Sequence, residues 1–263
     1  MGVLNTTPDS FSDGGKYYDT EKAITRALEM AREGADIIDI GGESTRPAAY
    51  DVSEDEEMRR VIAVVRAISK KIEVPISIDT RKAAVAESAI KEGASIINDV
   101  SGMKHDPNMA KVAARNNVAV ILMHMKGTPR DMQSSPRYRD VVADIIKSLK
   151  ESIGIARHAG VKEKKIIIDP GIGFGKTVEH NLEILNRLDE FKALGRPICV
   201  GTSRKSFIGK VLNLKDPNDR LAGTIATSAI SVMNGANILR VHDVRQGCST
   251  AAMADSILRI KRS

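Results

Sequence analysis

Short apolar runs alternate with segments of helical periodicity from one end of the chain to the other. Apolar residues recur at helical spacing within residues 24–31 and 58–65, and the second segment follows a capping pair, Ser53 and Glu56. The apolar runs contain mainly Ile and Val and predict strands at residues 3–4, 37–40, 76–78, 96–100, 118–123, 166–168, 198–200 and 238–241. Continuous apolar runs separated by helices indicate parallel strands buried on both faces.

The joints from helix to strand differ from the joints from strand to helix. Helix-to-strand joints are short and contain glycine, as at residues 33–35, 92–94 and 234–236, whereas strand-to-helix joints are long and polar. This asymmetry is typical of an α/β (β/α)8 TIM barrel, in which the loops at the C-terminal face of the strands form the active site. We therefore predict a single parallel eight-stranded barrel domain over residues 1–263. A doubly wound open sheet is the alternative, but it normally has fewer strands and one switch-point crevice.

Composition limits the classes of partner. The net charge of +6 would suit an anionic partner, but the 40 Lys and Arg residues are interspersed with 34 Asp and Glu, which indicates a solvated surface. Aromatic residues make up only 3% of the chain, so we expect no nucleic-acid binding. Cys199 and Cys248 are too few for a disulfide framework and are interpreted as free thiols. The chain shows neither a membrane span nor a signal peptide, which predicts a cytoplasmic protein without membrane contact.

Polar side chains follow the apolar runs, where a barrel would direct them into its mouth. These residues are Asn5, Asp79, Asn98, Asp99, Asp169, Arg240 and His242. A helix cap is an equally good interpretation of Asp79 taken alone, but the joint pattern favours a pocket. Carboxylate and amide groups converging there would suit a flat heterocycle with alternating hydrogen-bond donors and acceptors, such as an aminopyrimidinone.

Two later loops have compositions suited to ligand binding. Residues 169–177, DPGIGFGKT, match neither a P-loop nor a dinucleotide fingerprint, and their glycines predict a close approach of the backbone to a ligand. Residues 201–206, GTSRKS, follow the seventh predicted strand, and Arg240 and His242 end the eighth. Anion sites are frequent after these two strands of a barrel, so we expect a phosphate group there.

The order of these motifs resembles the dihydropteroate synthase family over nearly the whole chain. Residues 5–15, NTTPDSFSDGG, and residues 41–47, GGESTRP, are similar to the family's two signature loops. The remaining motifs follow in the family's order: SIDTRK at 77–82, INDV at 97–100, LMHMKG at 122–127, the loop at 169–177, SRK at 203–205 and RVH at 240–242. The resemblance implies condensation of 6-hydroxymethyl-7,8-dihydropterin pyrophosphate with p-aminobenzoate to give 7,8-dihydropteroate, a step of folate biosynthesis.

Residue roles follow from the resemblance by matching position. The pterin pocket would be formed by Asp79, Asn98, Met123, Asp169, Phe174 and Lys205. The pyrophosphate would be held by Asn5, Arg240 and His242, with Asn5 acting through Mg²⁺ and with Thr45 and Arg46 gathering around the same anion. The p-aminobenzoate pocket would contain Phe11, Thr45, Pro47 and Ser206. The residues expected to act on the reacting groups are Asp169, Lys205, Arg240 and His242.

The residue types fit this transferase chemistry without a protein nucleophile. Cleavage of the C–O bond to pyrophosphate builds cationic character on the pterin methylene and negative charge on the leaving group, which cations can stabilise. The family also implies a homodimer and inhibition by sulfonamides. A pterin-binding methyltransferase of the same barrel superfamily is one alternative, but such enzymes lack loops like residues 5–15 and 41–47. A catalytically silent pterin-binding protein is another, against which Asn5, Lys205, Arg240 and His242 argue.

Overall fold

Strands form at all eight of the predicted apolar runs. The computed structural model describes residues 1–6, 16–44, 51–128, 131–132 and 134–260. The strands are β1 (Gly2–Asn5), β2 (Ile38–Gly41), β3 (Ile76–Asp79), β4 (Ile96–Asp99), β5 (Ala119–Met123), β6 (Ile166–Asp169), β7 (Cys199–Val200) and β8 (Ile238–Leu239). Most of their residues are buried, because one face of each strand points into the barrel and the other packs against helices.

Helices occupy the segments between the strands. They are α1 (Lys16–Arg32), α2 (Glu54–Ile68), α3 (Ala83–Lys91), α4 (Met109–Arg115), α5 (Val141–His158), α6 (Val178–Asn186), α7 (Ser206–Leu212), α8 (Leu221–Met233) and α9 (Val244–Ile260). Ser53 caps α2 by accepting a hydrogen bond from the Glu56 amide, as the sequence predicts, and Thr177 with His180 forms a capping box at α6. Within the part of the chain that the structure describes, no helix is long and apolar enough to cross a membrane.

The strands close into a ring in sequence order. β1 to β6 form one parallel sheet in that order, and β7 pairs with β8 in parallel. Single bridges join the two sheets: Ile168 with Ile198 links β6 to β7, and Gly2 with Val241 links β1 to β8. The fold is therefore the predicted (β/α)8 barrel. The doubly wound sheet is excluded, because that fold would have two open edges and a reversal of strand order.

Apolar side chains form two main layers, and a small third cluster contains Val100, Met123, Met132 and Phe174. The larger layer lies between the strands and the surrounding helices, and fully buried residues such as Ile40, Ile78 and Leu122 belong to it. A smaller layer closes the lower part of the barrel interior and contains Met1, Ile96, Ile121 and Cys199. Cys199 is thus a buried free thiol, as predicted. This dry floor leaves the upper part of the interior to polar side chains.

Candidate active site

A buried polar layer lies directly above the apolar floor, at the carboxyl ends of the strands. Asp79 and Asn98 are neighbours in register at the ends of β3 and β4, and Met123 is paired in the same way with Asp169 across β5 and β6. All four side chains are buried. The structure thus brings together the residues that the sequence predicts for the floor and walls of a pterin pocket.

Arg240 extends from the end of β8 across this layer to two carboxylates. Its Nη2 donates to Asp79 Oδ2 at 2.6 Å, and its Nε donates to Asp39 Oδ2 at 2.7 Å. Asn98 Nδ2 donates to the same oxygen of Asp39 at 3.1 Å. Arg240 therefore lies within the predicted pterin pocket as well as beside the predicted pyrophosphate site.

Burial, together with the nearby charges of Arg240 and Asp39, perturbs the ionisation of Asp79. Burial raises the pKa of the Asp79 carboxyl to about 7, Arg240 opposes the rise and the negative charge of Asp39 adds to it. Burial opposes the charge on Arg240 too, but the two carboxylates outweigh it and raise the pKa of the guanidinium above its ordinary value. Asp79 can therefore exchange a proton near neutral pH, whereas Arg240 stays a cation.

The opposite wall of the pocket contains Asp169 and Lys205, whose charges influence each other. Asp169 Oδ1 accepts a hydrogen bond of 2.7 Å from the Gly171 amide. Burial raises the pKa of the Asp169 carboxyl, and the charge of Lys205 opposes that rise. Burial lowers the pKa of Lys205 to about 8, with Asp169 acting in the other direction. The Lys205 ammonium donates to the Ile172 carbonyl and lies 4.6 Å from the centre of the Phe174 ring, which fixes that ring against the pocket.

The loop after β6 is locked onto the end of β5. Lys176 is buried, donates to the Phe174 carbonyl at 2.9 Å and lies 3.0 Å from His124 Nδ1. Burial lowers the pKa of Lys176 well below its ordinary value and lowers the pKa of His124 to about 2. A side chain at Gly171, whose φ is 72°, would place Cβ 1.9 Å from the His124 carbonyl oxygen. The glycines were predicted to allow close approach to a ligand, whereas the close approach at Gly171 is to the neighbouring loop at His124.

The predicted anion-binding residues surround the same mouth. Asn5 ends β1 and is half-buried. His242 lies two residues after Arg240, and its amide donates to Ser203 Oγ at 3.2 Å while its Nδ1 lies 3.0 Å from that hydroxyl. Ser206 is the first residue of α7 and is exposed. The strand ends and the loop after β7 therefore place a cation and hydroxyl groups where an anion could enter.

Several predicted residues lie outside the described part of the chain. They are Phe11, Thr45, Arg46 and Pro47, and their roles stay predictions.

The described residues next to the second signature loop form an ion cluster that is buried except for the exposed Asp51. Arg81 contacts Glu43 at 3.2 Å and Asp51 at 2.7 Å, so it joins the two sides of this loop. Lys82 contacts Glu43 at 2.9 Å and the fully buried Glu57 at 2.5 Å. Arg81 and Lys82 lie just after Asp79 in the sequence. The same ion cluster therefore holds both the ends of this loop and the segment that carries Asp79.

Sequence reasoning missed Asp39 and Lys176. Asp39 interrupts the apolar run of β2, and a charged residue inside an otherwise buried strand is a signal that could have identified it. Lys176 gives no comparable signal, because a lysine in a glycine-rich loop is normally exposed. Asp99 was grouped with the pocket residues, but its carboxylate instead accepts hydrogen bonds from the Ser101 and Met103 amides in the following turn.

The donor set at the mouth suits a magnesium ion only in company with a phosphate ligand. Among the described residues, no group of three or more His, Cys, Asp and Glu side chains could hold a metal ion. Asn5 offers one amide oxygen, and Mg²⁺ commonly binds through one or two protein groups together with waters and substrate phosphates. The residues present therefore fit a metal ion that is carried mainly by a diphosphate.

Known proteins of one family match this sequence and fold. A family model described as "Pterin binding enzyme" matches residues 1–242. A dihydropteroate synthase of Bacillus subtilis is 54% identical over 98% of this chain and 88% of its own. The Clostridium difficile dihydropteroate synthase, crystallised in the presence of pteroic acid, has a TM-score of 0.92 at 49% identity, covering 98% of this chain and 95% of that one. The Yersinia pestis enzyme, in a sulfonamide drug complex, has a TM-score of 0.93 at 42% identity, covering 98% and 94%.

These matches extend over nearly the full length of both partners, and they agree with the motif order and with the polar layer at the barrel mouth. The methyltransferase alternative finds no support among these relatives. The chain belongs to the pterin-binding enzyme family and, within it, to the dihydropteroate synthases.

Proposed function

We propose that this chain condenses 6-hydroxymethyl-7,8-dihydropterin pyrophosphate with p-aminobenzoate, releasing 7,8-dihydropteroate and pyrophosphate. The observation that carries the proposal is the row of buried Asp79, Asn98 and Asp169 side chains with Arg240 and Lys205 beside it. A pterin presents N–H donors and ring-nitrogen acceptors along one edge, which such a row can pair. A cation at the open end of the same row is suited to the diphosphate of that substrate.

In this mechanism the protein binds, orients and supplies charge. Asp79, Asn98 and Asp169 hold the ring, while Met123 and Phe174 cover its apolar faces. As the methylene C–O bond lengthens, Arg240 and His242 stabilise the negative charge that develops on the departing pyrophosphate. The p-aminobenzoate amine then forms the new C–N bond and loses a proton, so no covalent enzyme intermediate is required.

The remaining residue roles belong to the same proposal. Asn5 would hold Mg²⁺, which when bound would neutralise part of the diphosphate charge. Thr45 and Arg46 would contact that anion. Ser206, at the exposed start of α7, would bind p-aminobenzoate together with Phe11, Thr45 and Pro47, and its position beside Lys205 supports this.

One assay tests the reaction against the silent pterin-binding alternative. The protein is incubated with the pterin pyrophosphate, p-aminobenzoate and Mg²⁺, and the mixture is examined for dihydropteroate by mass. We expect product at many turnovers per protein, and omission of p-aminobenzoate is the control. Tight pterin binding without product would support the silent protein instead.

Sulfonamides are proposed as inhibitors of this chain, since the similar Yersinia pestis enzyme was crystallised in a sulfonamide drug complex. Each shares the aniline of p-aminobenzoate and an anion-like group para to it. They should therefore occupy the p-aminobenzoate pocket and leave the pterin pocket free.

The cytoplasmic location of the protein stays a prediction.

A homodimer is proposed on the evidence of α8. Its outward face is apolar, with Ile225 and Ile230 exposed by 38% and 47%, while polar Thr224, Ser228 and Ser231 are buried. This inverts the usual arrangement for a surface helix. Exposed apolar side chains continue onto α9, which packs against α8. A second copy covering this face would explain the inversion, and light scattering of the purified protein tests it.

A further inference from the structure

Asp39 occupies a central place in the polar layer although it lies below the predicted ligand contacts. It is the second residue of β2 and is fully buried. Its Oδ2 accepts from Asn98 at 3.1 Å and from Arg240 Nε at 2.7 Å. One carboxylate oxygen thus joins a residue of β4, proposed to hold the ring, to a residue after β8, proposed to hold the leaving group.

Two nitrogens of the Arg240 guanidinium make different contacts with the two carboxylates. The Nε edge faces only Asp39 among the described hydrogen-bond acceptors, whereas Nη2 also donates to Asp79 at 2.6 Å. A pterin ring that pairs with Asp79 would compete with Nη2 for the same oxygen. Once displaced from Asp79, Nη2 still lies 2.7 Å from Asp39 Oδ2, and its second N–H is left to donate to a new acceptor.

We propose that Asp39 is a positioning residue that holds Arg240 by its Nε edge, so that the guanidinium exchanges Asp79 for the substrate diphosphate when the pterin binds. This inference rests on the proposed function. Asp39 touches neither reactant. Asp39 keeps the Arg240 side chain oriented toward the leaving group after Asp79 has bound the pterin ring. This orientation couples the pterin site to the diphosphate site.

The coupling can be measured with two separate probes. Inorganic pyrophosphate with Mg²⁺ is titrated into the protein by calorimetry, with and without saturating 6-hydroxymethylpterin, which lacks the diphosphate. In the unmodified protein we expect the pterin to tighten pyrophosphate binding at least about tenfold, a coupling near 1.4 kcal/mol. With Asp39→Ala the gain should fall below about twofold, and with Asp39→Asn, which keeps an acceptor oxygen for Nε, it should be intermediate.

Ser77 provides the matched control. It is the register partner of Asp39 on β3, is fully buried and has a hydroxyl without a hydrogen-bond partner among the described residues. Ser77→Ala removes a polar atom from the same layer without touching Arg240, so the coupling should stay at its original value. Circular dichroism of each variant confirms that it is folded, and Asp39→Asn serves if the alanine variant is not.

Steady-state rates give an independent readout. Asp39→Ala should lower kcat at least about tenfold and leave the KM for p-aminobenzoate unchanged, with Asp39→Asn recovering part of the rate. Undiminished coupling in folded Asp39→Ala, equal losses in Ser77→Ala, or no coupling in the unmodified protein would each overturn the inference. Formation of dihydropteroate by the unmodified protein tests the proposed function separately. A failure of the inference about Asp39 can therefore be distinguished from a failure of the proposed function.

Discussion

Replacing Asp79 by Asn should stabilise the folded protein at neutral and alkaline pH while weakening pterin binding. Burial raises the pKa of Asp79 from 3.8 to about 7, with Arg240 opposing and Asp39 adding to the rise. A carboxyl whose pKa is raised on folding gives stability below its unfolded pKa, and that stability is lost as the pH rises to 7. The loss amounts to about 4 kcal/mol. Since Asn resembles the protonated carboxyl in size, the variant should avoid this loss.

Urea unfolding at pH 4.5 and at pH 8 measures the effect. The Asp79→Asn variant and the original protein should be nearly equally stable at the lower pH. At pH 8 the variant should be more stable by about 4 kcal/mol, equivalent to a rise of the thermal midpoint on the order of 10 °C. Calorimetry with the pterin pyrophosphate should show weaker binding to the variant at both pH values.

Asp140 is a control of opposite sign. Hydrogen bonds from the Ala143 amide and from Arg187 lower the pKa of the Asp140 carboxyl, so its contribution is present at pH 8 and is lost as the pH falls. Asp140→Asn should therefore be less stable than the original protein by nearly the same amount at pH 8 and at pH 4.5, because this contribution is lost only below the ordinary pKa of 3.8. A stability difference for Asp79→Asn that does not grow between the two pH values would refute the reasoning about the buried carboxylate pair.

Three further outcomes are expected. Asp169→Asn keeps the size of the side chain but removes its charge, so calorimetry should show pterin pyrophosphate binding weakened by roughly 1 to 3 kcal/mol with the fold retained; unchanged binding would contradict the assignment. A sulfonamide should compete with p-aminobenzoate in steady-state kinetics, and competition with the pterin alone would place the inhibitor elsewhere. Pyrophosphate with Mg²⁺ should raise p-aminobenzoate affinity at least about tenfold, because the residues predicted for the two ligands share the loops at 5–15 and 41–47. Equal affinity in both titrations would argue for a preformed pocket.

The barrel could be predicted from sequence because most strand residues are buried on both faces of the strands. A run such as residues 166–168 has no polar alternation, and with a helix on each side it can only be an interior strand. The lengths of the last two strands were less predictable. Residues 198–200 and 238–241 were expected to be strands throughout, but regular pairing covers only Cys199–Val200 and Ile238–Leu239, and single bridges at Ile198 and Val241 complete the ring.

The site was predictable where a polar residue ends a strand, and less so where it depends on pairing across the barrel. Asp79 and Asp169 could be found because they directly follow apolar runs. Asp39 and Arg240 are 201 positions apart in sequence, and only closure of the ring brings them within 2.7 Å. The contact of Lys176 with His124 likewise depends on how two neighbouring loops pack, which residue spacing does not determine.

The charges of the polar layer explain why a neutral ring with N–H donors suits this site. Three buried carboxylates, Asp39, Asp79 and Asp169, face two cations, Arg240 and Lys205. Because the layer is buried, the remaining negative charge is relieved either by a proton on Asp79, whose pKa burial raises to about 7, or by a ligand that enters from the mouth. A pterin offers hydrogen-bond donors to the carboxylates without adding a cation, so it relieves them and leaves both cations charged for an anionic leaving group. A layer with equal numbers of carboxylates and cations would be more stable when empty, and for the same reason it would bind the ring less strongly.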